Sequence, residues 1–228
     1  MKIIKSWFYK LSEIVWENIT IEKDLIVTFF DDSNKNCFIE IWENSKVEMY
    51  WILENSNNFK LKVNQNKLNS NLKIHYLILA NNNIINWTKN NVKIESILNA
   101  DFVKSNLKIL SIVWDDWVVN LDWIIKIEEG IKKVDWNLDE ENIFLWNTGV
   151  VNWIPTLLVR SDDVKASHAC KIEKISDEKL FYLRAKWIWK ENALQMMVVA
   201  KIENLFSCLN MYSPKIYDKL IGNILNKI

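Results

Sequence analysis

From about residue 12 to residue 160, apolar side chains recur in short runs, among them 25–30, 38–41, 59–63, 72–79, 92–97 and 107–112. Several alternate apolar with polar positions, the period of a strand with one buried face. Asn, Asp and Trp separate the runs. One fragment repeats: VWENITIE at 15–22 resembles IWENSKVE at 41–48, an offset of 26 residues. Such self-similarity predicts a solenoid whose turns bury their apolar faces against one another. A β-sandwich of hairpins is the alternative.

After Lys174 the period lengthens. Ser176 can cap a first helix with Asp177 and Glu178 in its first turn, and that helix ends near Lys186. A second, from about 190 to 209, aligns Leu194, Met197, Val198, Ile202, Leu205, Phe206 and Leu209 at three- and four-residue spacing. Ser213 and Pro214 open a third, with Tyr217, Leu220, Ile221, Ile224 and Leu225 on one side. The expected architecture is mainly β: a right-handed parallel β-helix (solenoid) over 1–174 and a C-terminal α-helical subdomain over 175–228.

Composition changes this picture in one respect. The chain has thirteen tryptophans and three glycines, whereas average usage gives roughly 16 glycines in a chain of this length. Asn86-Trp87, Asp116-Trp117, Asp122-Trp123, Asp135-Trp136 and Asn152-Trp153 read as Asn-Gly or Asp-Gly turn pairs with tryptophan in the glycine place. Trp187 follows the first predicted helix where a left-handed glycine is usual. The expectation is that a codon read as glycine in the source, such as UGA, stands here as tryptophan. A truly Trp-rich surface for sugar or membrane is the competing reading.

The charges balance at 29 basic and 29 acidic residues, so no net field draws the chain to nucleic acid or anionic lipid. The start is too short in apolar residues for a signal peptide and no later run approaches a membrane span, which gives a cytoplasmic expectation. Cys37, Cys170 and Cys208 are odd in number, widely spaced and without a CxxC pair, so neither a disulfide framework nor a structural zinc site is encoded. No P-loop, HExxH or nucleophile elbow is present. Replacing Trp187 and Trp189 by glycine creates a Gly-x-Gly sequence, but after a helix rather than a strand.

Segment 159–170 reads VRSDDVKASHAC and 180–188 reads LFYLRAKWI. With glycine at 187 these closely resemble the C-terminal signature of the SufB/SufD family of iron-sulfur cluster assembly scaffolds, DDVKxSHGA followed by LFYLxSRGI and an alanine-containing helix. Ala193 falls where that alanine is expected. The Leu-Arg ending after Phe-Tyr looks more like SufD than SufB. The strong match covers roughly 145–210, and the chain is shorter than typical members.

The resemblance implies a non-catalytic scaffold working with a SufB-like subunit and a SufC-like ATPase. It places the family's functional histidine at His168, a reasonable iron ligand. Cys170 would lie on the same face of a strand. Here the chain departs from the pattern, with Ala169 for glycine and Cys170 for alanine, so Cys170 is either an added thiolate ligand or a small core residue. Three cysteines cannot hold a permanent cluster, so an iron-sulfur cluster would be transient and shared with a partner subunit. The same resemblance puts ATPase docking on the helical tail, with Tyr182, Arg184, Lys190 and Glu191 as candidate contacts. His75, inside an apolar run, reads as a strand residue. The alternative function is a β-solenoid that binds or acts on polysaccharide, which would want a row of exposed aromatics.

Overall fold

A computed structural model describes residues 2–13, 17–54, 58–80, 89–114, 116–145, 148–175 and 177–226. The chain is mainly β, with two seven-stranded parallel sheets and a short C-terminal helical segment. Successive strands alternate between the sheets. The odd sheet holds β1 (Lys2–Ile3), β3 (Asn18–Ile21), β5 (Cys37–Ile41), β7 (Phe59–Gln65), β9 (Lys89–Leu98), β11 (Val118–Ile127) and β13 (Val150–Val159), in that spatial order. The even sheet holds β2 (Phe8–Lys10), β4 (Ile26–Asp31), β6 (Lys46–Glu54), β8 (Asn71–Ala80), β10 (Lys104–Val113), β12 (Lys132–Phe144) and β14 (Asp163–Lys174).

Every strand pairing among the described residues is parallel, which overturns the hairpin sandwich. The 26-residue repeat is overturned too. Ile26 pairs with Lys46, 20 positions on, while Asn71 pairs with Lys104, 33 positions on. The two similar fragments fall in different sheets, Asn18–Ile21 in β3 and Val47 in β6, and residues 15 and 16 lie outside the described residues. Their described parts therefore do not occupy equivalent positions.

One core lies between the sheets, where Ile21, Ile39, Val63 and Leu121 of the odd sheet meet Phe29, Met49, Ile74 and Leu107 of the even sheet. A second covers the other face of the even sheet. There Tyr50, Leu77, Leu79, Leu110 and Ile112 pack against α2 (Lys190–Tyr212) and α3 (Pro214–Leu225). Being covered on both faces, β8 is buried continuously from Tyr76 to Ala80 instead of alternating. The predicted stripe of α2 is the packed one: Val198, Ile202, Leu205, Phe206 and Leu209 are buried, with Leu194 and Met197 at its margin. In α3, Leu220 and Ile224 face the sheet. The cap predicted at Ser176 lies outside the described residues. No described helix is long and apolar enough to cross a membrane.

The tryptophans correct the turn reading. Trp123 lies within β11, Trp136 within β12 and Trp153 within β13. Trp51, Trp123 and Trp136 are core side chains. Asn152 is a ladder residue, its amide donating to Asn120, which donates in turn to Asn91. The left-handed bends fall mostly on Asp and Asn instead, with Phe102 and Lys133 besides. Asp24, Asn34, Asn44, Asn69 and Asp116 take positive φ, which short polar side chains tolerate, and Asp24, Asn44 and Asn69 are linked by side-chain hydrogen bonds of 3.0 and 3.1 Å. Asp116 is thus left-handed while Trp117, beside it, is buried. Asn86-Trp87 lies outside the described residues.

At Trp187 the predicted left-handed slot is present. This residue has φ 64° and stands 95% exposed. It follows α1 (Asp177–Arg184), and its amide donates to the Arg184 carbonyl at 2.9 Å while that of Ile188 donates to Leu183 at 3.3 Å. These are the paired bonds of a Schellman end with Trp187 in the usual glycine place. Gly149 is required for another reason: a β-carbon there would sit 2.7 Å from a Val113 methyl and 3.0 Å from the Trp114 carbonyl oxygen.

Candidate functional site

Residues in register across the even sheet form columns, and these columns change character at its last two strands. Met49, Ile74, Leu107 and Leu138 are followed by His168. Trp51, Tyr76 and Ile109 are followed by Glu140 and then Cys170. Leu53 and Ile78 are followed by Ser111, Asn142 and Ile172. The first members of all three belong to the core between the sheets, so an apolar interior becomes polar beneath β14.

Glu140 is the centre of that change. Its side chain is completely buried, with Oε2 3.9 Å from Nε2 of His168, whose side chain is 27% exposed. Asn142 Nδ2 donates to Glu140 Oε1 at 2.6 Å and lies 3.9 Å from the Cys170 sulfur. Burial pushes the Glu140 carboxyl above its ordinary range, against the opposing pull of Asn142 and His168. Burial also raises the Cys170 thiol, and the nearby Glu140 adds to this while Asn142 opposes it. That favours the thiol over the thiolate in the chain alone. Glu140 Oε2, Asn142 Oδ1 and Ser111 Oγ are buried without a hydrogen-bond partner.

His168 and Cys170 therefore share a face of β14, over Glu140 and Asn142. Sequence reasoning missed the latter two. Their signal was the alternation of β12, where Trp136 and Leu138 are apolar and the next two positions of the same face are Glu140 and Asn142. Among the described residues no group of three or more His, Cys, Asp or Glu side chains is placed to hold a metal ion.

On the opposite face of β14, Lys171 reaches Glu141 at 2.7 Å and Glu173 at 2.6 Å. Lys201 of α2 reaches the same two carboxylates at 2.7 and 3.2 Å. This network fastens α2 to the last strands beside a cavity of about 290 Å³ lined in part by Lys108, Glu141, Cys170 and Lys201. Burial alone would raise Glu141; hydrogen bonds from Lys171 and Lys201 outweigh it and hold the carboxyl below its usual range.

Tyr182, Arg184, Lys190 and Glu191 are all exposed, at the end of α1 and the start of α2. Exposed Phe181, Trp187 and Trp189 accompany them. His75 is a half-buried strand residue of β8, 3.1 Å from Glu48 and stacked on Tyr50 at 4.8 Å. The strands β13 and β14 end their sheets, and Val150, Ile154, Leu157, Leu158 and Ile172 on them are exposed.

Of the two parallel sheets, the even one thus ends in a histidine-bearing strand. The family described as SUF system FeS cluster assembly, SufBD core domain, matches residues 33–201, and the chain belongs to that family. Among curated relatives, the iron-sulfur cluster assembly protein SufD of Escherichia coli is 30% identical over 111 residues, covering 49% of this chain and 26% of that protein. An iron-sulfur cluster assembly SufBD family protein of Staphylococcus saprophyticus is 34% identical over 67 residues, covering 29% of this chain and 14% of the relative. One of Staphylococcus aureus gives the same identity over the same length. The alignments thus span about a quarter or less of these relatives.

Proposed function

We propose that the chain is a non-catalytic, SufD-like scaffold subunit of a SUF-type iron-sulfur cluster assembly complex. Its alternating parallel sheets are read as the walls of a right-handed β-helix over 1–174, with 175–228 as a helical subdomain. A SufB-like scaffold pairs with the exposed ends of β13 and β14, and a SufC-like ATPase docks through the helices, with Tyr182, Arg184, Lys190 and Glu191 in contact. His168, and Cys170 beside it, supply donors from this chain to a transient iron-sulfur cluster shared across the scaffold junction. The observation that carries this reading is the apolar column of Met49, Ile74, Leu107 and Leu138 ending in a partly exposed imidazole on a strand with one free edge. An interior that needed only packing would end in an apolar side chain. A donor set too small for a resident cluster fits a shared one.

The polysaccharide reading is not favoured. Trp51, Trp123 and Trp136 are buried in the core, and exposed Trp7 lies near the chain start, far in sequence from Trp187 and Trp189. They make no row.

Co-expression of the tagged chain with SufB-like and SufC-like proteins from the same source tests the proposal. The expected result is a three-protein complex in which His168→Ala leaves assembly intact but lowers iron retained after cluster loading at least tenfold. Arg184→Glu with Lys190→Glu should release the ATPase alone. A chain that retains neither protein, or a complex whose iron content ignores His168, refutes it.

A further inference from the structure

Burying a carboxylate in a column otherwise filled by Trp51, Tyr76 and Ile109 has no packing rationale. Asn142 fixes one oxygen of Glu140, and the other oxygen has no hydrogen-bond partner. That second oxygen is turned toward Nε2 of His168 at 3.9 Å, in ion-pair range and about 1 Å beyond a hydrogen bond. The imidazole thus presents one ring nitrogen inward to a fixed acceptor. We infer that Glu140 is a positioning residue for His168: it takes the Nε2–H and holds the ring in the tautomer whose Nδ1 carries the free lone pair, so that Nδ1 is the atom offered to iron.

The inference rests on the reading of His168 as an iron donor, and it names the donating atom and the group that selects it. A neutral imidazole donates a proton through one nitrogen and accepts a metal through the other, so the acceptor behind the ring decides which nitrogen faces the ligand. Partners of this kind typically change metal affinity 10- to 100-fold. Asn142 acts one step further back. By holding Oε1 it leaves Oε2 free for the ring.

The full-length, metal-free chain labelled with 15N-histidine reports the tautomer directly through its ring-nitrogen shifts above neutral pH. There are two histidines, and His75→Gln assigns them. Wild type should show His168 protonated on Nε2. Glu140→Gln keeps its one oxygen on the Asn142 amide and turns its own NH2 toward the ring, so it should move the ring proton to Nδ1, whereas Glu140→Ala should give a mixture of tautomers. Titration with iron(II) alone should show affinity lowered 10- to 100-fold by Glu140→Ala and by Glu140→Gln alike. His168 protonated on Nδ1 in wild type, or ring shifts unchanged in Glu140→Ala, overturns the inference. Iron affinity unchanged by His168→Ala would instead sink the donor reading while leaving the tautomer result to stand.

Discussion

Replacing Trp187 by glycine should stabilise the protein, and the structure sets the size of the gain. Trp187 is held at φ 64° by the bonds from its own amide and that of Ile188 to the last carbonyls of α1. An L-residue in this conformation costs roughly 1–2 kcal/mol relative to its right-handed form. The indole is 95% exposed, so its removal forfeits almost no buried area. Glycine returns about 0.5–1 kcal/mol as added freedom of the unfolded chain. The net gain is about 1 kcal/mol, which for a chain of this length raises Tm by roughly 2–4 °C. Urea unfolding should show a higher midpoint at unchanged slope. Trp187→Ala separates the causes, since it removes the ring but keeps the β-carbon and should gain nothing. An alanine variant as stable as the glycine variant would place the cost in the ring, and a glycine variant no more stable than wild type would refute the reasoning altogether.

Other outcomes follow from the same contacts. Mass spectrometry of the peptide spanning position 187 in the native source should give the residue mass of glycine; tryptophan there ends the recoding expectation. Trp136→Ala, in the core, should cost about 3–5 kcal/mol in urea unfolding, and a loss below 1 would mean that the ring is not packed. Lys201→Ala should cost about 0.5–1 kcal/mol at low salt by leaving Glu141 and Glu173 with Lys171 but without the α2 ammonium, an effect that shrinks in high salt. Because the folded-state pKa of Glu141 is depressed, its contribution is present above the unfolded carboxylate value, about 4.3, and is lost as pH falls through the lower folded value. The stability gap between wild type and Glu141→Gln should therefore close on acidification, and a gap that widened would contradict the pairing.

The six sequence runs each fall on a strand, β4, β5, β7, β8, β9 and β10, because a half-buried strand announces itself by alternation. The last four strands were harder to see. Taking Asp122-Trp123 and Asp135-Trp136 as bends cut β11 and β12 at positions where both rings point into the core. The helical stripe of α2 was legible because its spacing survives whatever covers it. At the site, His168 and Cys170 were found through a motif, and their shared face follows from strand geometry. Glu140 and Asn142 were not found, since polar residues alternating in a strand ordinarily face water. Only the register of β10, β12 and β14 reveals that these two continue apolar columns. The stacking of His75 on Tyr50 was likewise invisible, as it depends on two strands 25 positions apart coming into register.

The free edge of β14 also constrains what can lie against it. Backbone pairing proceeds residue by residue, so an incoming strand that docks there brings one particular side chain opposite the imidazole and its second neighbour opposite the sulfur. Two residues along a strand span about 6.5–7 Å, and adjacent strands lie about 4.8 Å apart. A visiting chain with ligands at alternate positions would thus meet this one donor for donor, whereas a slip of a single residue would turn both of its ligands to the other side of the sheet.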